Sequence, residues 1–174
     1  PGPELVEGLF RHLMIDEAWS VREERGFTWW AHRAAQRIWA GEPFEDNGVT
    51  GCRVHVESDA LRLDGPLEDP AASVLVALLR FPPLSSFHVD TEAGAVRLWA
   101  SAFVSAEAAP HLLPRLAVAA ALQATYVEMG ASALRQHTGL RPLTSAHPVS
   151  GPRPEPDDML NLAAARLLPA GEGP

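Results

Sequence analysis

Histidine and carboxylate residues, the types that acid–base catalysis uses, alternate with apolar residues in two short segments. Arg53, His55 and Glu57 share one face of the first segment, and His88 and Asp90 share one face of the second. A histidine titrates near neutral pH and a carboxylate can orient its ring, so one hypothesis is a hydrolase that uses His55 and Glu57. The competing interpretation is charge pairing across strands on a solvated sheet face. We favour it because the alternation does not predict the burial that tunes catalytic groups.

Other catalytic and metal-binding patterns are missing from the sequence. The seven histidines form no His-x-x-Glu-His, His-Glu-x-x-His or His-x-His arrangement. No serine lies in a Gly-x-Ser-x-Gly turn, and no glycine-rich phosphate loop follows a predicted strand. The single cysteine, Cys52, cannot form an intramolecular disulfide and alternates as a core-facing strand residue. We therefore predict no enzymatic activity, no cofactor and no metal.

The length and net charge of the chain argue against nucleic acid and membrane as partners. The chain has 174 residues, 47% of them hydrophobic, which is enough for one domain with its own core. Its formal net charge of −8 disfavours binding to nucleic acid, which relies on a basic face. No apolar run reaches the roughly 20 residues that span a bilayer, and no basic-then-apolar leader is visible. We expect a cytoplasmic protein that binds neither nucleic acid nor membrane.

Hydrophobic periodicity and turn residues predict helices packed on an antiparallel sheet. The predicted helices are residues 4–14, a segment capped by Asp69 and stopped at residues 81–83, and residues 106–137. The predicted strands are a hairpin around residues 24–26, a strand over residues 52–57, and a hairpin over residues 85–105. Such an order is typical of an α+β domain, with a sheet of about five strands and helices on one face.

The strand before the long helix has two unlike faces. Val96 and Leu98 begin an aliphatic face, whereas Arg97, Trp99 and Phe103 lie on the opposite one. If the aliphatic face meets the helices, the aromatic residues point outward. Aromatic residues beside arginine are typical of a protein-binding hot spot. The alternative is that short terminal helices or a second subunit cover the aromatic face.

The segment "GFTWWAHRAAQRIWAGEP" holds three tryptophans and two arginines, and its residue types leave helix and strand open. Propensity favours a helix, while a strand would continue the preceding hairpin. As a strand, it would place Trp29, Arg33, Arg37 and Trp39 on one face. In both conformations we assign Trp30 to the core, and Trp29 with Arg33 to the contact surface.

Proline content divides the chain into a domain and an appendage. Residues 1–143 are predicted to form the domain, and the proline-rich residues 144–156 a linker. Residues 157–174 predict a short helix and tail. Because so short a helix is not stable alone, we expect it either to dock on this domain or to lead to a further domain outside this chain.

The order of "FTWWAHRAAQRIWA", "CRVHVES" and "FHVDTEAGAVRLWASAFVS" before a long helix resembles the type III secretion chaperone and YbjN-like superfamily over residues 4–137. The resemblance implies a small acidic protein that binds other polypeptides, often as a dimer, and is not an enzyme. It also favours strand for the tryptophan-rich segment. We predict a chaperone-like or regulatory protein-binding module whose partner is another polypeptide or a second copy of itself. The alternative is a homodimerising structural domain of a larger bacterial regulator.

Overall fold

The structure is a computed structural model, and it describes residues 2–63, 85–90, 92–134 and 140–153. The helix capped by Asp69 and the helix in residues 157–174 were predicted outside these residues. The helices are α1 (Gly2–His12), a 3₁₀ turn (Glu17–Trp19) and α2 (Ala109–Leu134). The strands are β1 (Ser20–Glu23), β2 (Gly26–Trp29), β3 (Gln36–Asp46), β4 (Val49–Leu63), β5 (Ser86–Asp90), β6 (Ala95–Ser105) and β7 (Leu140–Pro142).

The described strands form one antiparallel sheet in the order β1-β2-β3-β4-β6-β5, with β7 paired to the end of β4. The predicted α+β class and antiparallel sheet are confirmed. The sheet has seven strands rather than about five. One extra strand arises because the tryptophan-rich segment forms two strands, and β7 is the other.

The tryptophan-rich segment is neither one helix nor one strand. Strand β2 ends at Trp29, residues 31–34 bend, and β3 begins at Gln36. The chain therefore reverses, and Phe27 on β2 lies opposite Ile38 on β3. A hairpin satisfies the backbone hydrogen bonds of both halves and buries both of these side chains completely.

Helices α1 and α2 pack on one face of the sheet, as predicted; we call it the covered face. Helix α1 is amphipathic and ends two residues earlier than expected, because Met14 adopts a left-handed φ of 50°. The core between the helices and the sheet contains Leu5, Leu9, Phe10, Phe27, Ile38, Cys52, Val54, Val56, Val104, Leu116 and Ala120. Burial of this aliphatic stripe orients the sheet, so the alternate residues point away from the helices.

Polar side chains also lie on the covered face, in a hydrogen-bonded chain. Gln36 donates to Ser58 Oγ (2.6 Å) and to the carbonyl of Ala120 (2.9 Å), and it accepts from Trp29 Nε1 (2.8 Å). Ser58 in turn donates to Gln123 Oε1 at 2.8 Å. Gln36, Ser58 and Gln123 are all buried, and these bonds satisfy polar groups that would otherwise destabilise the core.

Residues 144–153, which lie within the segment predicted to be a linker, pack against the domain. His147 is buried, and its ring contacts those of Trp19 and Trp30 at 5.9 and 5.0 Å. Its Nδ1 accepts from the backbone N–H of Ser150 at 2.9 Å, so Nε2 carries the proton towards the carbonyl of Ser20. These contacts hold the segment over the bend that follows β2.

Candidate protein-binding face

The face opposite the helices, which we call the open face, carries five aromatic side chains in two groups of contacting rings. The ring of Trp39 stacks on His55 with centroids 4.9 Å apart, and it meets Trp99 edge-on at 5.3 Å. His55 also contacts Trp99 at 5.0 Å, and Phe44 contacts Phe103 at 5.0 Å. We call these five side chains the aromatic row. Within the described ranges, the helices pack on the other side of the sheet.

Strand register and one bulge bring the aromatic row together. His55 on β4 lies opposite Trp39 on β3 and next to β6, the strand that carries Trp99 and Phe103. Side chains alternate between faces, so Phe44 would otherwise lie on the covered face with respect to Trp39. A register shift between residues 40 and 43 moves Phe44 to the open face.

Two glycines make room for the row. A Cβ on Gly26 would lie 2.7 Å from the Cβ of Trp39, its partner across β2 and β3. A Cβ on Gly51 would lie 2.7 Å from Cζ of Phe103. Both distances are below any real contact, so the Phe103 ring occupies space that only a glycine at residue 51 leaves open, and the backbone and Cβ of Trp39 leave no room for a side chain at residue 26. The ring of Phe103 therefore packs directly against the backbone at Gly51 and is fixed in position.

A cluster of charged residues borders the row at the β5 side. Arg97 lies 3.1 Å from Asp59, 3.2 Å from Asp90 and 3.8 Å from Glu57. Burial raises the pKa of Asp59 and of Glu57, against the opposing effect of the Arg97 guanidinium. The backbone N–H of Ala93 instead lowers the pKa of Asp90, with help from Arg97. We call Glu57, Asp59 and Asp90 the carboxylate cluster.

Two further arginines flank the row. Arg37 donates to Glu23 at 2.6 Å, and its guanidinium lies 5.0 Å from the ring centroid of Trp39. Arg53 is exposed beside Phe103 and has no ion pair with any residue in the described part of the chain. The open face thus combines aromatic area with arginine, the composition enriched at the centre of protein interfaces.

The acid–base hypothesis rested on His55 and Glu57, but the structure directs their side chains to different partners. His55 contacts two tryptophan rings, and its Nδ1 is buried without a hydrogen-bond partner among the described residues. Burial lowers the pKa of His55, with a smaller contribution from Arg53. Glu57 lies beside Arg97, on the wall of a shallow depression of about 390 Å³ that His88 also lines. No carboxylate in the described residues bonds to His55, and so no catalytic pair is assembled there.

The structure brings together three of the five residues predicted to form the contact surface. Arg97, Trp99 and Phe103 lie on the open face. Trp29 lies on the covered face, where it packs against the core, and Arg33 lies in the bend and pairs with Glu128 of α2 at 2.6 Å. The chain reversal after β2 causes the separation, because Trp29 and Arg33 are not on the same strand as Arg37 and Trp39.

His55 and Phe44 belong to the aromatic surface although their sequence pattern did not assign them to it. For His55 the signal was present, since it alternates with the core residues Val54 and Val56 and shares the face of Glu57. For Phe44 no local signal exists, because a bulge decides its face. Trp30 is buried as predicted, 5% exposed, beneath His147 and Ser145 rather than under the helices.

Comparison with protein-family models finds no match, and neither does comparison with curated protein sequences. The resemblance to secretion chaperones therefore stays a prediction. Among the described residues no group of three or more histidine, cysteine or acidic side chains could hold a metal ion. No helix within them is both long and apolar enough to cross a membrane.

Proposed function

We propose that the protein is a non-enzymatic, chaperone-like or regulatory module that binds another polypeptide with its open face. The observation that carries this proposal is the aromatic row, a triad of contacting rings (Trp39, His55 and Trp99) and a contacting pair (Phe44 and Phe103) on the side of the sheet away from the packed helices. Aromatic residues dominate binding hot spots, where truncating one costs about 2 kcal/mol or more. A cytoplasmic location suits an acidic chain whose one cysteine is unpaired.

The rigidity of the row supports the same function. Trp39 and Trp99 brace each other and His55, while Phe103 is held over Gly51. Rings already fixed in place lose little rotamer entropy on binding, so more of the contact energy contributes to affinity.

The test compares proteins retained from a lysate of the source organism by wild type, by the double variant Trp99→Ala/Phe103→Ala, and by Val118→Ala. Val118 is the control, since it is an exposed apolar residue on α2. We expect a set of polypeptides that wild type and Val118→Ala retain and the double variant retains about tenfold less. Thermal unfolding by circular dichroism shows whether the double variant is folded.

Identical retained sets for wild type and a folded double variant would contradict the proposal. The alternative function, homodimerisation, has its own readout. If sedimentation at tens of micromolar shows a dimer that Trp99→Ala/Phe103→Ala dissociates and Val118→Ala does not, the open face is an interface between copies and not a site for another polypeptide.

A further inference from the structure

The charge on the open face is unbalanced beside the aromatic row. Arg97 contacts the three carboxylates of the carboxylate cluster, and three negative charges against one positive leave an excess of two. Arg37, which lies opposite Glu57 on β3, is bonded to Glu23 and does not remove this excess. The side chains of Arg97, Glu57 and Asp59 are each only 24% exposed, so the excess charge is already partly withdrawn from water.

This imbalance limits what can cover the row. A partner that buries Trp99 also removes water from Glu57, since the two residues lie opposite each other on β6 and β4. A desolvated carboxylate without a counter-charge opposes binding strongly. A suitable partner must therefore bring positive charge to the β5 side of the row.

The depression beside Trp99 has the shape and lining to accept such a charge. It measures about 390 Å³ and is lined by Glu57, Ser86, Phe87, His88 and Trp99. The ring of Trp99 offers an aromatic surface for the stem or head of a cationic side chain, and the carboxylate of Glu57 offers a charge partner. A long cationic side chain fits this combination better than an acidic or a purely apolar one.

We propose that the open face binds a polypeptide segment in which an apolar anchor is adjacent to an arginine or lysine. The anchor lies on the aromatic row, and the basic side chain enters the depression between Trp99 and Glu57. This inference rests on the proposed protein-binding function and names the chemistry of its partner.

A second copy of this chain fits the same face less well. A second copy carries the same formal net charge of −8 and brings its own carboxylate cluster, together with Arg53 and Arg62, two exposed arginines of β4 without an ion pair among the described residues. A symmetric pairing would therefore bring two acidic clusters, one from each copy, into one interface. A basic partner is not subject to this limit.

The experiment selects binders from a phage-displayed library of random dodecapeptides, using the full chain as bait. Selected peptides are synthesised and titrated against wild type, Trp99→Ala, Glu57→Gln and Glu4→Gln. Glu57→Gln keeps the shape of the side chain and leaves Arg97 bonded to Asp59 and Asp90. Glu4→Gln makes the same chemical change on α1, at an exposed residue of the covered side.

We expect peptides in which arginine or lysine is adjacent to an aromatic or aliphatic residue. Their affinity should fall about tenfold in Glu57→Gln, at least as much in Trp99→Ala, and not in Glu4→Gln. Peptides that need Trp99 but bind Glu57→Gln as well as wild type would overturn the inference and leave the proposed function standing. Selections without any Trp99-dependent peptide would overturn both, and a wild-type dimer that Trp99→Ala dissociates would assign the face to a second copy.

Discussion

The two faces of the sheet are built from the same strands yet differ in how well their polar groups are matched. On the covered face, Gln36, Ser58 and Gln123 are buried, and the structure gives each of them hydrogen-bond partners. On the open face, His55 Nδ1 is buried and has no hydrogen-bond partner in the part of the chain that the structure describes, and the three carboxylates of the carboxylate cluster share the single arginine Arg97. Fully hydrogen-bonded polar networks are typical of a protein core, whereas partly buried polar groups without partners are typical of a binding surface.

The aromatic rings on the two faces also differ in how much of their surface is exposed to solvent. Phe10 and Phe27 meet edge-on beneath the helices and are buried. Trp39, Trp99 and Phe103 are in similar ring contacts but remain partly exposed. The difference indicates that ring packing on the open face fixes geometry without closing the surface, and this is what a preformed binding site requires.

The largest expected effect tests whether the backbone fixes the open-face rings. In Gly51→Ala the new methyl would lie 2.7 Å from both the Phe103 ring and the backbone oxygen of Val104. Because the backbone atom cannot move aside, we expect a loss of about 3 kcal/mol in the free energy of unfolding, measured in urea.

Gly41→Ala is the matched control in the same sheet. Its nearest new contact would be the Arg53 carbonyl oxygen at 3.5 Å, an ordinary separation, so we expect little change. Equal free energies of unfolding for Gly51→Ala and Gly41→Ala would show that the backbone at Gly51 does not fix the position of the Phe103 ring.

The next largest effect comes from removing a serine hydroxyl, and we expect it to lower stability on the covered face but not on the open face. Ser58→Ala removes the hydroxyl that joins Gln36 to Gln123 and leaves buried amide groups unpaired, so we expect a loss of about 2 kcal/mol. Ser101→Ala deletes a hydroxyl from an exposed position on the open face, and we expect a change within about 0.5 kcal/mol. Urea unfolding of both variants gives the comparison, and similar losses would contradict the distinction between the faces.

The smallest effect concerns the pH dependence of the carboxylate cluster. Burial raises the pKa of Asp59, so the folded state binds its proton more readily and wild type gains stability as the pH falls through that raised pKa. Asp59→Asn lacks this gain. We expect its stability relative to wild type to decrease between about pH 7 and about pH 4, measured by urea unfolding.

Asp90→Asn should show the opposite trend. Backbone and Arg97 hydrogen bonds lower the pKa of Asp90, so wild type loses their contribution as the pH falls through this lowered value. The stability of Asp90→Asn relative to wild type should therefore increase on acidification. If the stability of both variants relative to wild type changed with pH in the same direction, the pKa values of Asp59 and Asp90 would not be shifted in opposite directions.

Much of the open face could be predicted from single strands. Arg97, Trp99 and Phe103 lie on the open face, as expected from their alternation with aliphatic residues. The aliphatic residues Val96 and Leu98 are buried on the covered face. Trp29 and Arg33 could not be placed in the same way, because the bend between β2 and β3 makes them neighbours of the core and of α2. The packing of His147 over Trp30, within the predicted linker, also depends on contacts between distant residues.

The sequence by itself determined the α+β class, the antiparallel hairpins and the two-faced character of β4 and β6. These follow from local geometry, since side chains on a strand alternate with a period of two. Only the tertiary structure decided that Trp39, Phe44 and His55 join Trp99 and Phe103. Strand order, the register shift in β3 and the choice of face for the helices are non-local, and no short segment encodes them.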